Sequence, residues 1–273
     1  KPSSIGDLQL AATRAISDRN YKYALELFEE KRIRQGAFWD PANNVNTAMA
    51  LNHLGRYEES VKLLQSTIDE VEQIKNYPIE KKYDLIFSLA LSNSYLNNWN
   101  KGIEGFSKVI KYVEGQKRLL DENDYKVYMN RGSAYKETRQ FHKAIIDLKK
   151  AQQINPRIPA IHELLGYCYL SLDKFKEAED SFNHSLELYP SGIYSLKGLG
   201  DSRFAQNKNR LALQAYDKAL RIKPNYWALL NNKGLVLFEE EKIFQAINIW
   251  ETVLKTNQNA ETTLALAAAL NKL

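Results

Sequence analysis

The stretch "DKFKEAEDSFNHSLELYP", residues 173–190, decides the fold, because "RQFHKAIIDLKKAQQINP", residues 139–156, carries the same pattern thirty-four residues earlier. In both, an aromatic residue is followed by Ala after three steps, by a large apolar residue after four more, and then by a closing Pro. Phe141, Ala144, Leu148 and Pro156 match Phe175, Ala178, Phe182 and Pro190. The pattern returns from Asn207, with Ala212, Tyr216, Ala219 and Pro224, and from Glu241, with Ala246, Trp250 and Val253. These four starts are each 34 residues apart, and upstream copies begin at Arg19, Gly55 and Asn97. A fixed period of this length marks units built to be stacked.

Each copy follows a second amphipathic segment. Gly132, Gly166, Gly200 and Gly234 stand twelve residues before Ala144, Ala178, Ala212 and Ala246, and Ala12, Ala48 and Ala90 fill that place in the first three copies. Apolar residues flank it at helical spacing, as with Ile161, Leu165 and Tyr169. The spacing predicts two antiparallel helices per unit, with a crossing set by a small residue facing a small residue. Pro156, Pro190 and Pro224 end second helices, since Pro has no N–H to donate.

These residues resemble the tetratricopeptide repeat family. The match is fullest at 159–192, with Leu165, Gly166, Tyr169, Phe175, Ala178, Phe182 and Pro190, and Ser185 in place of the later Ala. The resemblance covers nearly the whole chain and implies an all-α, right-handed superhelical solenoid of antiparallel helix pairs. Seven units are expected, at 5–38, 41–74, 83–116, 125–158, 159–192, 193–226 and 227–260, in a single domain. Residues 261–273, "ETTLALAAALNKL", are expected to form a capping helix over the last unit. Two steps of 42 residues predict longer helices: one starting at Pro78, and one extending the second helix of the third unit to Leu120.

Composition narrows the chemistry. The chain has 273 residues, 44% hydrophobic and 26% charged, with a net charge of +5. Its one cysteine, Cys168, excludes an intramolecular disulfide and a multi-cysteine zinc site. No apolar run approaches the roughly 18 residues of a membrane span. The chain opens on Lys1 rather than Met, as expected of a trimmed chain. The compartment stays open between cytoplasm and, after loss of a signal peptide, periplasm or exterior. His53, His142, His162 and His184 are scattered, and no zincin motif, phosphate loop or nucleophile elbow occurs. No enzyme activity, cofactor or metal is therefore expected.

Binding remains. The resemblance implies that places two, five, nine, twelve and thirteen of each unit line a concave groove. The groove candidates in the first half are Asn52, Tyr95, Lys126, Asn130, Ser133 and Lys136. Those in the second half are Glu163, Tyr167, Lys197, Asp201, Phe204, Asn231 and Phe238. Aromatic bodies beside amide and charged tips suit an extended peptide. Lys197 followed by Asp201 departs from the Lys–Asn pair with which some family members hold a chaperone carboxylate. The units at 125–158 and 193–226 are the most basic, and an acidic peptide fits them. Nucleic acid is not favoured, for lack of a continuous basic stripe with stacking aromatics. The expected function is a protein-interaction scaffold, such as an assembly factor or co-chaperone. The alternatives are a peptide-sensing regulatory module and, more weakly, an RNA-binding helical repeat.

Overall fold

The computed structural model describes residues 4–116 and 121–272. All regular structure among the described residues is helical, and the chain divides into two compact units, Lys1–Gln140 and Phe141–Leu273. The first holds α1 (Ile5–Ser17), α2 (Tyr21–Gln35), α3 (Asn44–His53), α4 (Tyr57–Glu72), α5 (Ile79–Tyr95), α6 (Trp99–Gly115) and α7 (Tyr125–Glu137). The second holds α8 (Phe141–Ile154), α9 (Pro159–Leu170), α10 (Phe175–Leu188), α11 (Ile193–Ala205), α12 (Asn209–Ile222), α13 (Trp227–Glu239), α14 (Ile243–Thr256) and α15 (Ala260–Leu270). Within each unit successive helices pack as antiparallel pairs, the architecture of a helical-repeat solenoid.

The turns repeat as the helices do. Arg19, Asn97, Asp173, Asn207 and Glu241 have φ between 56° and 60°, and Gly55 has φ 73° at the same place. One left-handed residue per turn reverses the chain within three residues, and only Gly55 adopts that conformation without a Cβ penalty. At the turn of 171–174, Asp173 N–H donates to Leu170 C=O at 3.1 Å and Lys174 N–H to Tyr169 C=O at 2.9 Å. These bonds satisfy carbonyls that the end of α9 would otherwise leave open. The start of α1 is closed by a capping box, in which Ser4 and Asp7 each accept the other's backbone N–H.

The packing adds large rings to the small residues expected at the crossings. A Cβ added to Gly166 would lie 2.7 Å from the Phe182 ring, one on Gly200 2.3 Å from Tyr216, and one on Gly234 2.5 Å from Trp250. The atoms nearest the glycines of the first helices are therefore those of the large rings of the second helices. The alanines are themselves fully buried. Gly198, on α11, meets the same Phe182 ring at 2.2 Å. One ring of α10 is thus held between a glycine of its own pair and a glycine of the next. In the first unit, where Ala90 takes the glycine place, the space is cleared from the other side: a Cβ on Gly105 of α6 would lie 2.7 Å from Ala90 Cβ.

Two helices bear on the 42-residue steps. α5 has 17 residues, against 10 in α3 and 13 in α7, and Pro78 is its cap rather than its first residue. α6 also has 17 residues but stops at Gly115, because Gln116 is extended at φ −71°, ψ 133°. The expected continuation to Leu120 lies, from residue 117 on, outside the described residues. At the other end, α15 buries Thr262 and Ala269 against α13 and α14.

The ring-on-glycine contact makes a test. Gly200→Ala gains about 1 kcal/mol of helix propensity. It also drives a methyl into Tyr216, whose buried ring is anchored by a 2.7 Å bond to Asp201 Oδ1. Overpacking of this kind costs about 1–3 kcal/mol, so the variant should melt a few degrees lower. Gly6→Ala meets only Ser4 Oγ at 3.6 Å and should melt no lower than the parent. Equal melting of the Gly200 variant and the parent would refute the packing.

Candidate functional site

In the first unit α3 and α5 lie side by side, and their shared face forms a cavity of about 530 Å³. α3 contributes Val45, Met49, Asn52 and His53. α5 contributes Asp84, Phe87, Ser88, Leu91 and Tyr95, and α4 adds Tyr57. Residues 84, 88, 91 and 95 recur at three- and four-residue steps, so one face of α5 carries them all. Tyr95 is 49% exposed and stacks on Tyr57, with ring centroids 5.3 Å apart. Burial, and secondarily Tyr57, raise its phenol above the ordinary value. His53 lies flat against Tyr21 at 4.3 Å.

Asn52 is fixed by a network of three helices. Ser92 Oγ donates to Ser88 C=O at 2.9 Å, so it accepts from Asn52 Nδ2, also at 2.9 Å. Ser60 Oγ on α4 lies 2.8 Å from the same hydroxyl. The hydroxyl's proton is already committed, which orients the Asn52 amide with its NH₂ inward to Ser92. Asn52 Oδ1 is left buried with no hydrogen bond from any described residue. A second cavity, of about 540 Å³, shares Asp84 and Phe87 with the first and reaches Lys126 and Val127 of α7. Tyr83 and Tyr112, also in its wall, stack at 4.1 Å.

The remaining candidates of the first unit lie on α7. Lys126 is exposed, Ser133 is half-buried, and Asn130 donates to Lys126 C=O at 2.8 Å. Lys136 pairs with its neighbour Glu137.

In the second unit the polar candidates already have partners within the protein. Glu163 accepts from Ser195 Oγ at 2.7 Å, and Tyr167 OH donates to Tyr194 C=O at 2.8 Å. Asp201 gathers three donors, each at 2.7 Å: Lys197 Nζ, Tyr216 OH and Asn232 Nδ2. Burial, with Asp201 beside it, holds the Tyr216 phenol protonated well above its ordinary range. Burial does the same for Tyr167. Phe204 packs into the core of α11–α13, and Phe238 leans on Trp250 at 6.0 Å, with Lys272 Nζ 4.9 Å over its ring. Asn231 departs from its expected place on an open wall. It is 5% exposed, and its Oδ1 accepts from Thr262 of α15 at 3.1 Å.

Sequence reasoning found Asn52 and Tyr95 but missed Met49, Asp84, Phe87, Ser88 and Leu91. Met49, Asp84, Phe87 and Leu91 stand at inward places nine, two, five and nine of the units at 41–74 and 83–116, so the place rule was itself the available signal, and Ser88 follows from its four- and three-residue steps to Asp84 and Leu91. Among the described residues no group of three or more His, Cys, Asp or Glu could hold a metal ion. Cys168 is fully buried, and no described helix is long and apolar enough to cross a membrane.

Comparisons with known proteins agree with the helical-repeat fold. A tetratricopeptide repeat profile matches residues 125–158 and 159–191, and a TPR repeat profile matches 200–241. The small glutamine-rich tetratricopeptide repeat-containing protein 2 of Mycosarcoma maydis is 27% identical over 39% of this chain and 28% of its own. The peroxisomal targeting signal receptor of Saccharomyces cerevisiae is 25% identical over 64% of this chain and 26% of its own. The chain therefore spans less than three-tenths of the length of these relatives. Among solved structures, one from the APC/C hetero-tetramer Cut9–Hcn1 superposes with a TM-score of 0.75 at 13% identity, over 99% of this chain and 50% of that one. At that identity the likeness shows the fold alone.

One ion cluster gives the second unit a pH dependence. Glu179 of α10 is 13% exposed and accepts from Arg203 and Lys208 at 2.8 Å and from Gln206 at 3.1 Å. Burial alone would raise its carboxyl, but these donors outweigh it and hold the group at about 2. A depressed carboxyl stabilises the fold above its unfolded value and loses that contribution as pH falls towards about 2. Between pH 4.5 and 2 the parent should lose on the order of 2–3 kcal/mol from this group. Glu179→Gln should melt lower at pH 7 and show a flatter decline over that window. Parallel melting curves for the two proteins would rule the cluster out.

Proposed function

We propose, from the premise that this chain belongs to the tetratricopeptide repeat family, that it is a non-catalytic scaffold holding an extended segment of a partner protein. Proteins of this family mediate protein–protein interactions, and their fold is typically an interaction scaffold. The observation that carries the reading is the cavity between α3 and α5. It is lined mainly from the first helices of their pairs, its walls are aromatic and aliphatic, and Asn52 beside it has an amide oxygen with no partner among the described residues. About 530 Å³ falls within the roughly 300–1,000 Å³ of ligand sites. The adjoining cavity along α5 would extend the contact in the direction an unfolded segment needs. The second unit supports a different role. Glu163 is bonded to Ser195 there, and Lys197 and Asp201 pair with each other, which suits a rigid support better than a charged docking wall.

A photo-crosslinking residue in place of Tyr95 should capture a discrete partner in cells. The same residue in place of Lys62, exposed on α4, should capture none. Equal capture from both positions, or none from Tyr95, would contradict the reading.

A further inference from the structure

We infer that the α3–α5 cavity selects a partner segment by one cationic side chain, a lysine or an arginine. The inference rests on the scaffold reading and adds the chemistry of what is held. Two acceptors at this cavity have no partner among the described residues. Asn52 Oδ1 is buried and receives no hydrogen bond from a described residue, while its Nδ2 donates to Ser92 Oγ. The Asp84 carboxylate stands exposed at the mouth and forms neither a hydrogen bond nor an ion pair with any described residue. Crowding by neighbouring side chains, and then Glu80 one turn away, raise its carboxyl, so a second acid beside it adds to the negative field. Lys126 lines the adjoining cavity but makes no ion pair with Asp84.

The walls fit the rest of such a side chain. Val45, Met49, Phe87 and Leu91 offer aliphatic and aromatic surface to a methylene stem. The stacked Tyr57 and Tyr95 rings offer a face on which a cation is favoured. His53 is the remaining ionisable group facing the cavity besides the two tyrosines and Asp84, and its ring is taken up by Tyr21. An apolar anchor would fill the walls but leave the exposed Asp84 carboxylate at the mouth without a counter-charge. An acidic anchor would meet Asp84 and Glu80. A basic side chain satisfies walls and acceptors together.

The test uses the whole chain and a random peptide library displayed on phage. Selected peptides should share a lysine or arginine. In a synthetic copy of a selected peptide, replacing arginine by uncharged citrulline should weaken binding about fivefold, as for a partly exposed ion pair. Asp84→Asn should weaken the arginine peptide by a similar factor, and in that variant the citrulline replacement should matter little. Asp84 supports no contact of the fold, so the variant should melt as the parent does, and the citrulline arm leaves the protein untouched. Selected peptides without a basic residue, or a citrulline effect undiminished in Asp84→Asn, would overturn the inference while leaving the scaffold reading intact. A library from which no peptide is enriched would overturn both.

Discussion

The structure of the second unit depends on one contact, the Phe182 ring pressed between Gly166 and Gly198. Both glycines lie so close that an added Cβ would enter the ring. Phe182 is fully buried, and its two neighbours come from consecutive helix pairs. A single ring therefore fixes the distance within one pair and between that pair and the next. Tyr216 on Gly200 and Trp250 on Gly234 repeat the intra-pair half of the arrangement, with larger rings towards the C-terminus. Cores of this density tolerate little change of volume, so repeats built this way stack in one register.

The helix pairs were legible because both of their determinants are periodic. Apolar spacing marks each helix, and the thirty-four-residue step of Ala178, Ala212 and Ala246 marks each pair. The direction of packing was not legible. Gly166 and Ala178 look like partners in a list of small residues, yet a glycine's use is set by what approaches it. Here that is the ring four residues beyond the alanine. The end of α6 was missed for a related reason. The apolar pattern continued past Gly115, but a backbone turn at Gln116 overrides the pattern.

The functional face was half legible. Asn52 and Tyr95 follow from the resemblance, since their places in the unit face inward in the family. Asp84 and Phe87, at places two and five of the unit at 83–116, follow from the same rule, whereas Ser88, at place six, does not and is reached only through its spacing from Asp84 and Leu91. Asn231 shows the opposite failure. Its place suggested an open wall, but α15 covers it through Thr262. Polar residues on an inner face can serve the fold or a ligand, and what separates them is whether their hydrogen bonds are already made. By that criterion Asp201, with three donors, belongs to the fold, while Asn52 Oδ1, with none among the described residues, marks the proposed ligand face.

The account turns on the first helices of the first unit being the surface that meets a partner. Hydrogen exchange of the whole chain, read by mass spectrometry with and without a saturating selected peptide, tests this most directly. Protection should rise across residues 45–53 and 84–95 and stay unchanged in the outward part of α4. Protection confined to α4 or α6, or to the second unit alone, would contradict the account.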